Sequence, residues 1–103
     1  MHVIIAGTDD YDIAAAIDAE GHTVSRVDVA NSAALETADI ADADVYVLTE
    51  IEQATSISVA KEHNDELKVV VYADGSLPEF ATRQTDLMVD PALLAPEAVA
   101  AEL

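Results

Sequence analysis

The residues best placed for chemistry lie near the start of the chain, in HVIIAGTDDYD. A hydrophobic strand ends at Gly7 and passes through Thr8, Asp9 and Asp10 into a helical pattern that begins near Ile13. A strand that turns at a glycine into a helix aims backbone N–H groups and the positive end of the helix dipole at one point, which suits a phosphate. Gly7 and Thr8 are therefore candidate nucleotide-binding residues. Asp28, about 20 residues beyond the glycine at the end of the second strand, is a third candidate. Thr49, at the end of the third strand, is the fourth candidate. The same region offers a second chemistry, because Asp9, Asp10 and Glu50 could together hold Mg²⁺ through carboxylate oxygens.

The two chemistries compete. An aspartate beside a diphosphate repels it, at a cost on the order of 1 kcal/mol or more at partial exposure, and Asp9, Asp10 and Asp12 act together. NAD is not expected, and a nucleotide would need K⁺ or Mg²⁺ to bridge its phosphates to the aspartates. Asp9, Asp10 or Thr8 could equally be the N-cap of the helix, a role that needs no ligand. His2, His22 and His63 are too dispersed to form a catalytic or metal cluster, and no serine sits in a nucleophile-elbow motif.

Apolar runs and helical patterns alternate along the chain and position these residues. HVIIA, HTVSRVDV, DADVYVLTE, LKVVVYA and DLMVD read as strands. Between them, DYDIAAAIDAEG reads as a helix with Ile13, Ala14 and Ile17 on one face and Gly21 as its stop. SAALETADI is a second helix, and IEQATSISVAKEHN a third with Ile51, Ala54, Ile57 and Ala60 inward. One helical turn is expected at Pro78, and APEAVAAEL is a terminal helix with Pro96 near its first position. Strands of continuous Val and Ile between helices predict a single α/β domain over residues 1–103, a three-layer αβα Rossmann-like fold on a five-stranded parallel sheet. Two orders are open, 3-2-1-4-5 and the flavodoxin-like 2-1-3-4-5; the first is expected.

HVIIAG with its helix, EGHTVSRVD, DADVYVLTE, SVAKEHNDELKVVVYA and TDLMVDPALLAPEAVAAEL resemble, in that order, the TrkA-N (RCK) NAD-binding domain of potassium-transport regulators. The family's first turn is G-x-G-x-x-G. Gly7 matches the first glycine, Asp9 and Asp12 stand at the second and third, and Asp28 matches the ribose-binding acid. The resemblance implies the Rossmann-like fold with a degenerate glycine motif. A receiver-like reading is set aside, because the third strand ends in Leu48, Thr49 and Glu50 without an aspartate to phosphorylate, and no lysine follows the fifth.

Composition limits the function classes. Acidic residues number 21 against 4 basic ones, a formal net charge of −17, spread along the whole length. Such a surface repels nucleic acid, which requires a basic footprint, and suits a salt-rich cytoplasm where the charge is screened. The absence of cysteine removes disulfides and thiolate chemistry, and no apolar run is long enough for a membrane span. The expectation is a cytoplasmic, halophilic, non-enzymatic interaction or regulatory module that has lost ordinary dinucleotide binding and works as a homodimer or with a protein partner. A nucleotide sensor using Asp28 is the alternative, and a small enzyme the second alternative.

Overall fold

The order of the strands, more than their number, decides where a site can form. In the computed structural model, which describes residues 1–103, all strands are parallel in the order β2-β1-β3-β4-β5. They are β1 (His2–Ala6), β2 (Thr23–Val27), β3 (Val45–Leu48), β4 (Lys68–Tyr72) and β5 (Leu87–Val89). The helices are α1 (Ile13–Ala19), α2 (Ser32–Thr37), α3 (Thr55–His63), α4 (Glu79–Thr82) and α5 (Pro96–Ala101), with single 3₁₀ turns at Ile40–Asp42 and Ile51–Gln53.

The expected αβα domain is present, but its order is 2-1-3-4-5 and not 3-2-1-4-5. The reason lies in β2 and β3. An interior parallel strand is buried on both faces and must be apolar throughout. In β3 every residue from Val45 to Leu48 is buried, whereas β2 exposes Thr23 and Arg26 and buries only Val27. A strand carrying Ser25 and Arg26 belongs at an edge, so the crossover from β2 passes β1 and lays β3 on its far side.

Two aliphatic layers hold the helices to the sheet. Ile13 and Ile17 of α1 and Val99 and Ala100 of α5 pack on Val3, Ile5, Val45, Val47, Val70 and Tyr72. On the other face Leu35 of α2, Ala54 at the start of α3, Ile57 within it, and Ala81 of α4 pack on Ile4, Ala6, Tyr46, Leu48, Val69 and Val71. Alternate residues of each strand thus serve opposite layers, as the pleat requires. No helix is long and apolar enough to cross a membrane.

Candidate functional site

In this order β2 and β3 lie on opposite sides of β1, so the loops that follow β1 and β3 diverge from neighbouring strands at the C-terminal edge of the sheet. That is the switch point at which open α/β sheets bind ligands. Gly7, Thr8, Thr49 and Glu50 meet there. Gly7 takes a φ of 103°, and a Cβ built on it would stand 2.5 Å from Thr49 Oγ1 and 3.0 Å from Glu50 Cγ. Thr49 Oγ1 shares its proton between the carbonyls of Ala6, at 3.0 Å, and Thr8. The end of β3 is therefore clamped over the turn that follows β1.

The chain's own acceptors occupy the amides a phosphate would use. Thr8 N–H donates to Glu50 Oε1 at 2.9 Å. Ile13 N–H donates to Asp9 Oδ1 at 2.7 Å, and Ala14 N–H to Asp9 Oδ2 at 3.3 Å. Gly7 N–H and Asp12 N–H are held by the carbonyls of Val27 and Asp9, at 2.9 and 3.2 Å. Glu50 and Asp9 thus stand in for an anion, one at the turn and one at the start of α1. The space left beside Thr8, Asp10, Tyr11 and Tyr72 is a cavity of about 20 Å³, room for about one water.

The three candidate Mg²⁺ ligands turn to different partners. Asp9 turns into the helix, Glu50 turns onto the Thr8 amide, and Asp10 accepts from the Thr8 hydroxyl at 3.3 Å. No group of three or more His, Asp or Glu side chains is placed to hold a metal ion. Asp28 follows Val27, whose carbonyl holds the Gly7 amide, but it makes no hydrogen bond to the turn itself. Its carbonyl accepts from Gln53 Nε2 while Gln53 Oε1 takes the Ala30 amide, both at 2.8 Å, and it lines an open groove of about 730 Å³ between β2 and α2.

Neither buried tyrosine is suited to acid or base work near neutral pH. Burial pushes the Tyr46 hydroxyl up to about 12, against a smaller lowering by its bond to Ser56 Oγ. Burial also raises Tyr72, with Glu97 and Tyr11 adding to it, and its hydroxyl donates to the Leu94 carbonyl at 2.7 Å. Tyr11, an exposed residue of the first turn, meets Tyr72 edge-on with ring centroids 5.9 Å apart. Sequence reasoning missed both this pair and the Gln53 bridge. A tyrosine amid aspartates was a usable signal for the first, whereas the glutamine had none.

Of the three cap candidates, Asp9 supplies the bonds, although Asp12 occupies the cap position and its side chain makes no capping bond. Asp12 has φ 58° and ψ 37°, a left-handed conformation in which glycine has no Cβ penalty. The two aspartates should therefore respond oppositely to substitution. Asp9→Ala should destabilise the domain by about 1–2 kcal/mol through loss of the cap, and Asp12→Gly should be neutral or stabilising by up to about 1 kcal/mol. Urea unfolding in molar KCl reads both; equal losses would remove the distinction between them.

The comparisons with known proteins agree with the strand order. In fold the chain is similar to an orphan response regulator of H. pylori, with a TM-score of 0.75 at 17% identity over 99% of this chain and 92% of that one. It is similar also to an atypical orphan response regulator whose structure revealed a phosphorylation-independent regulatory mechanism, with a TM-score of 0.74 at 17% identity over 99% and 91% of the two chains. At such identities the likeness concerns the fold alone. The flavodoxin-like order left open from the sequence is thus the one present; the αβα architecture stands, and these likenesses are to receiver-like folds where the sequence resembles the TrkA-N domain. No curated protein matches the chain. A family model described as "Family of unknown function (DUF7126)" matches residues 3–103.

Proposed function

The chain belongs to this family of unknown function, and from its receiver-like fold we propose that it is a non-enzymatic regulatory module that acts through protein contacts and holds neither a dinucleotide nor a transferable phosphoryl group. One observation carries the proposal: the switch-point turn is filled by Glu50 and Asp9, whose carboxylates take the Thr8, Ile13 and Ala14 amides. A phosphate would have to displace a carboxylate already bonded there, and the cost of unpairing both partners would fall on the ligand. Receiver-type chemistry lacks its groups as well, since β3 is followed by Thr49 and Glu50 and β5 by Asp90 and Pro91. The likeness to a regulator with a phosphorylation-independent mechanism accords with this reading.

A contact role has positive support. Met88 of the short β5 is exposed, as are Phe80 before it and Leu93 and Leu94 after it, Leu93 by 80%, within one stretch of an otherwise acidic chain. In this reading the domain works in a salt-rich cytoplasm as a homodimer, with K⁺ or Mg²⁺ as diffuse counterions to its carboxylates. Amide NMR spectra in molar KCl, with NADH and then ADP with Mg²⁺ added to millimolar levels, test it. No shifts are expected at Gly7, Thr8, Asp28 or Thr49. Saturable shifts at those residues would put the adenosine-sensing alternative, with Asp28 on the ribose, in its place.

A further inference from the structure

We infer that the outer edge of β2 is the self-association surface of this domain, and that a second copy adds to it as an antiparallel strand across a two-fold axis at Ser25. This rests on the protein-contact reading above and places its homodimer at β2, which leaves the apolar residues around β5 to contacts with a different protein. The sheet has two edges, β2 and β5, and they are unequally protected. β5 has only three residues, begins after Asp86 and ends at Asp90-Pro91; shortness, charge and proline are the features that blunt an edge against pairing. β2 has five residues and no proline, and it borders an open groove walled by the small side chains of Ala33, Ala34 and Ala38.

The hydrogen-bond pattern fixes the register. Thr23 N–H bonds the Met1 carbonyl and Gly7 N–H bonds the Val27 carbonyl, so the alternation of a parallel ladder turns Thr23, Ser25 and Val27 toward β1 and leaves the N–H and C=O of Val24 and Arg26 facing outward. Past them the edge is closed, because Gln53 bridges the Asp28 carbonyl and the Ala30 amide. An antiparallel copy centred on Ser25 sets Val24 against the partner's Arg26 and Arg26 against the partner's Val24, which satisfies all of those groups on both chains. Moving the axis to Arg26 would oppose two guanidinium groups, and moving it to Val24 would set Arg26 against the partner's His22.

Charge favours the same register. Arg26 is the only Lys or Arg in residues 1–60, and neither ion pair of the structure includes it. In the Ser25-centred pairing it lies over an apolar Val24, and each end of the ladder brings an imidazole donor, His22, against a carboxylate, the partner's Asp28. Both α2 helices then lie on the same face of the joined sheet, with the groove beside β2 between them.

The test uses the full chain, which has no cysteine of its own. Ser25 and its copy would form a non-hydrogen-bonded pair with Cα atoms about 4.5 Å apart, at the short end of the range a disulfide spans. Light scattering of the natural chain in molar KCl should give the mass of a dimer. Ser25→Cys should become a covalent dimer under mild oxidation, while Met88→Cys at the opposite edge should not. Arg26→Pro removes the outward N–H of β2 together with the guanidinium and costs no bond to β1, so it should stay folded by circular dichroism and become monomeric. A monomeric natural chain at millimolar concentration, a covalent dimer from Met88→Cys but not from Ser25→Cys, or a folded Arg26→Pro dimer would each overturn the inference. None of these results alters the nucleotide titration, so the interface can fail while the protein-contact reading stands.

Discussion

Circular dichroism across a KCl series should show a folded domain in molar salt and an unfolded chain near 0.1 M, where the Debye length grows to about 10 Å. That length is comparable to the radius of gyration of 12.1 Å, so each carboxylate then feels most of the others. At about 1 M salt the Debye length is about 3 Å and only adjacent charges interact. Local pairing does not offset the repulsion: with 21 acidic and 4 basic residues, the structure holds only two contacts of ion-pair geometry, His63 with Glu36 at 3.9 Å, which is an ion pair only with a protonated imidazole, and the exposed Arg83 with Glu79 at 2.7 Å. An exposed pair of this kind contributes about 0–1 kcal/mol. Seventeen net charges on so small a body change the repulsion between low and molar salt by on the order of 10 kcal/mol, which matches the entire stability of an ordinary domain, about 5–15 kcal/mol. A melting temperature that stays within a few degrees across the series would show that the acids are not a salt adaptation.

The elements were legible because each is written in a local pattern. Val45–Leu48 and Val69–Tyr72 are short, fully buried runs rich in Val, as buried strands are, and Ile13, Ile17, Ile57 and Ala60 fall at helical spacing and are buried. Strand order is not local, yet Ser25 and Arg26 carried it, since an edge strand tolerates them and an interior one does not. The TrkA-N resemblance led the other way by matching the elements in sequence, which both orders share. What the sequence placed at the candidate turn was residues, not the direction of their side chains. Gly7, Thr8, Thr49 and Glu50 do converge, but the sequence could not say that Glu50 turns inward to the Thr8 amide instead of outward to a cation. In the sequence Asp9 is both an obstacle to phosphate and one of three cap candidates, and it is Asp9, not Thr8 or Asp10, that takes the first amides of α1.

The closure of that turn makes Gly7→Ala the most damaging single substitution expected in the chain. Two costs arise at one atom. At φ 103° an alanine is held in a region that L-residues rarely adopt, a strain of about 1–3 kcal/mol. Its Cβ would also lie 2.5 Å from Thr49 Oγ1 and 3.0 Å from Glu50 Cγ, and neither neighbour yields without consequence. Thr49 would give up its bonds to the Ala6 and Thr8 carbonyls, and Glu50 its bond to the Thr8 amide. Together these place the loss near the top of the single-mutant range, about 3–5 kcal/mol, or a fall in melting temperature of roughly 15–30 °C for a domain of this size. Thr49→Ala separates the two costs, because it removes the oxygen that the new methyl group meets and leaves the backbone strain in place. Measured in that background, Gly7→Ala should cost less by about 1 kcal/mol or more, the coupling expected of residues in contact. Additive losses would assign the whole effect to φ. Near-natural melting of Gly7→Ala itself would mean that β3 does not close over the turn, and the amide of Thr8 would again be available to a phosphate.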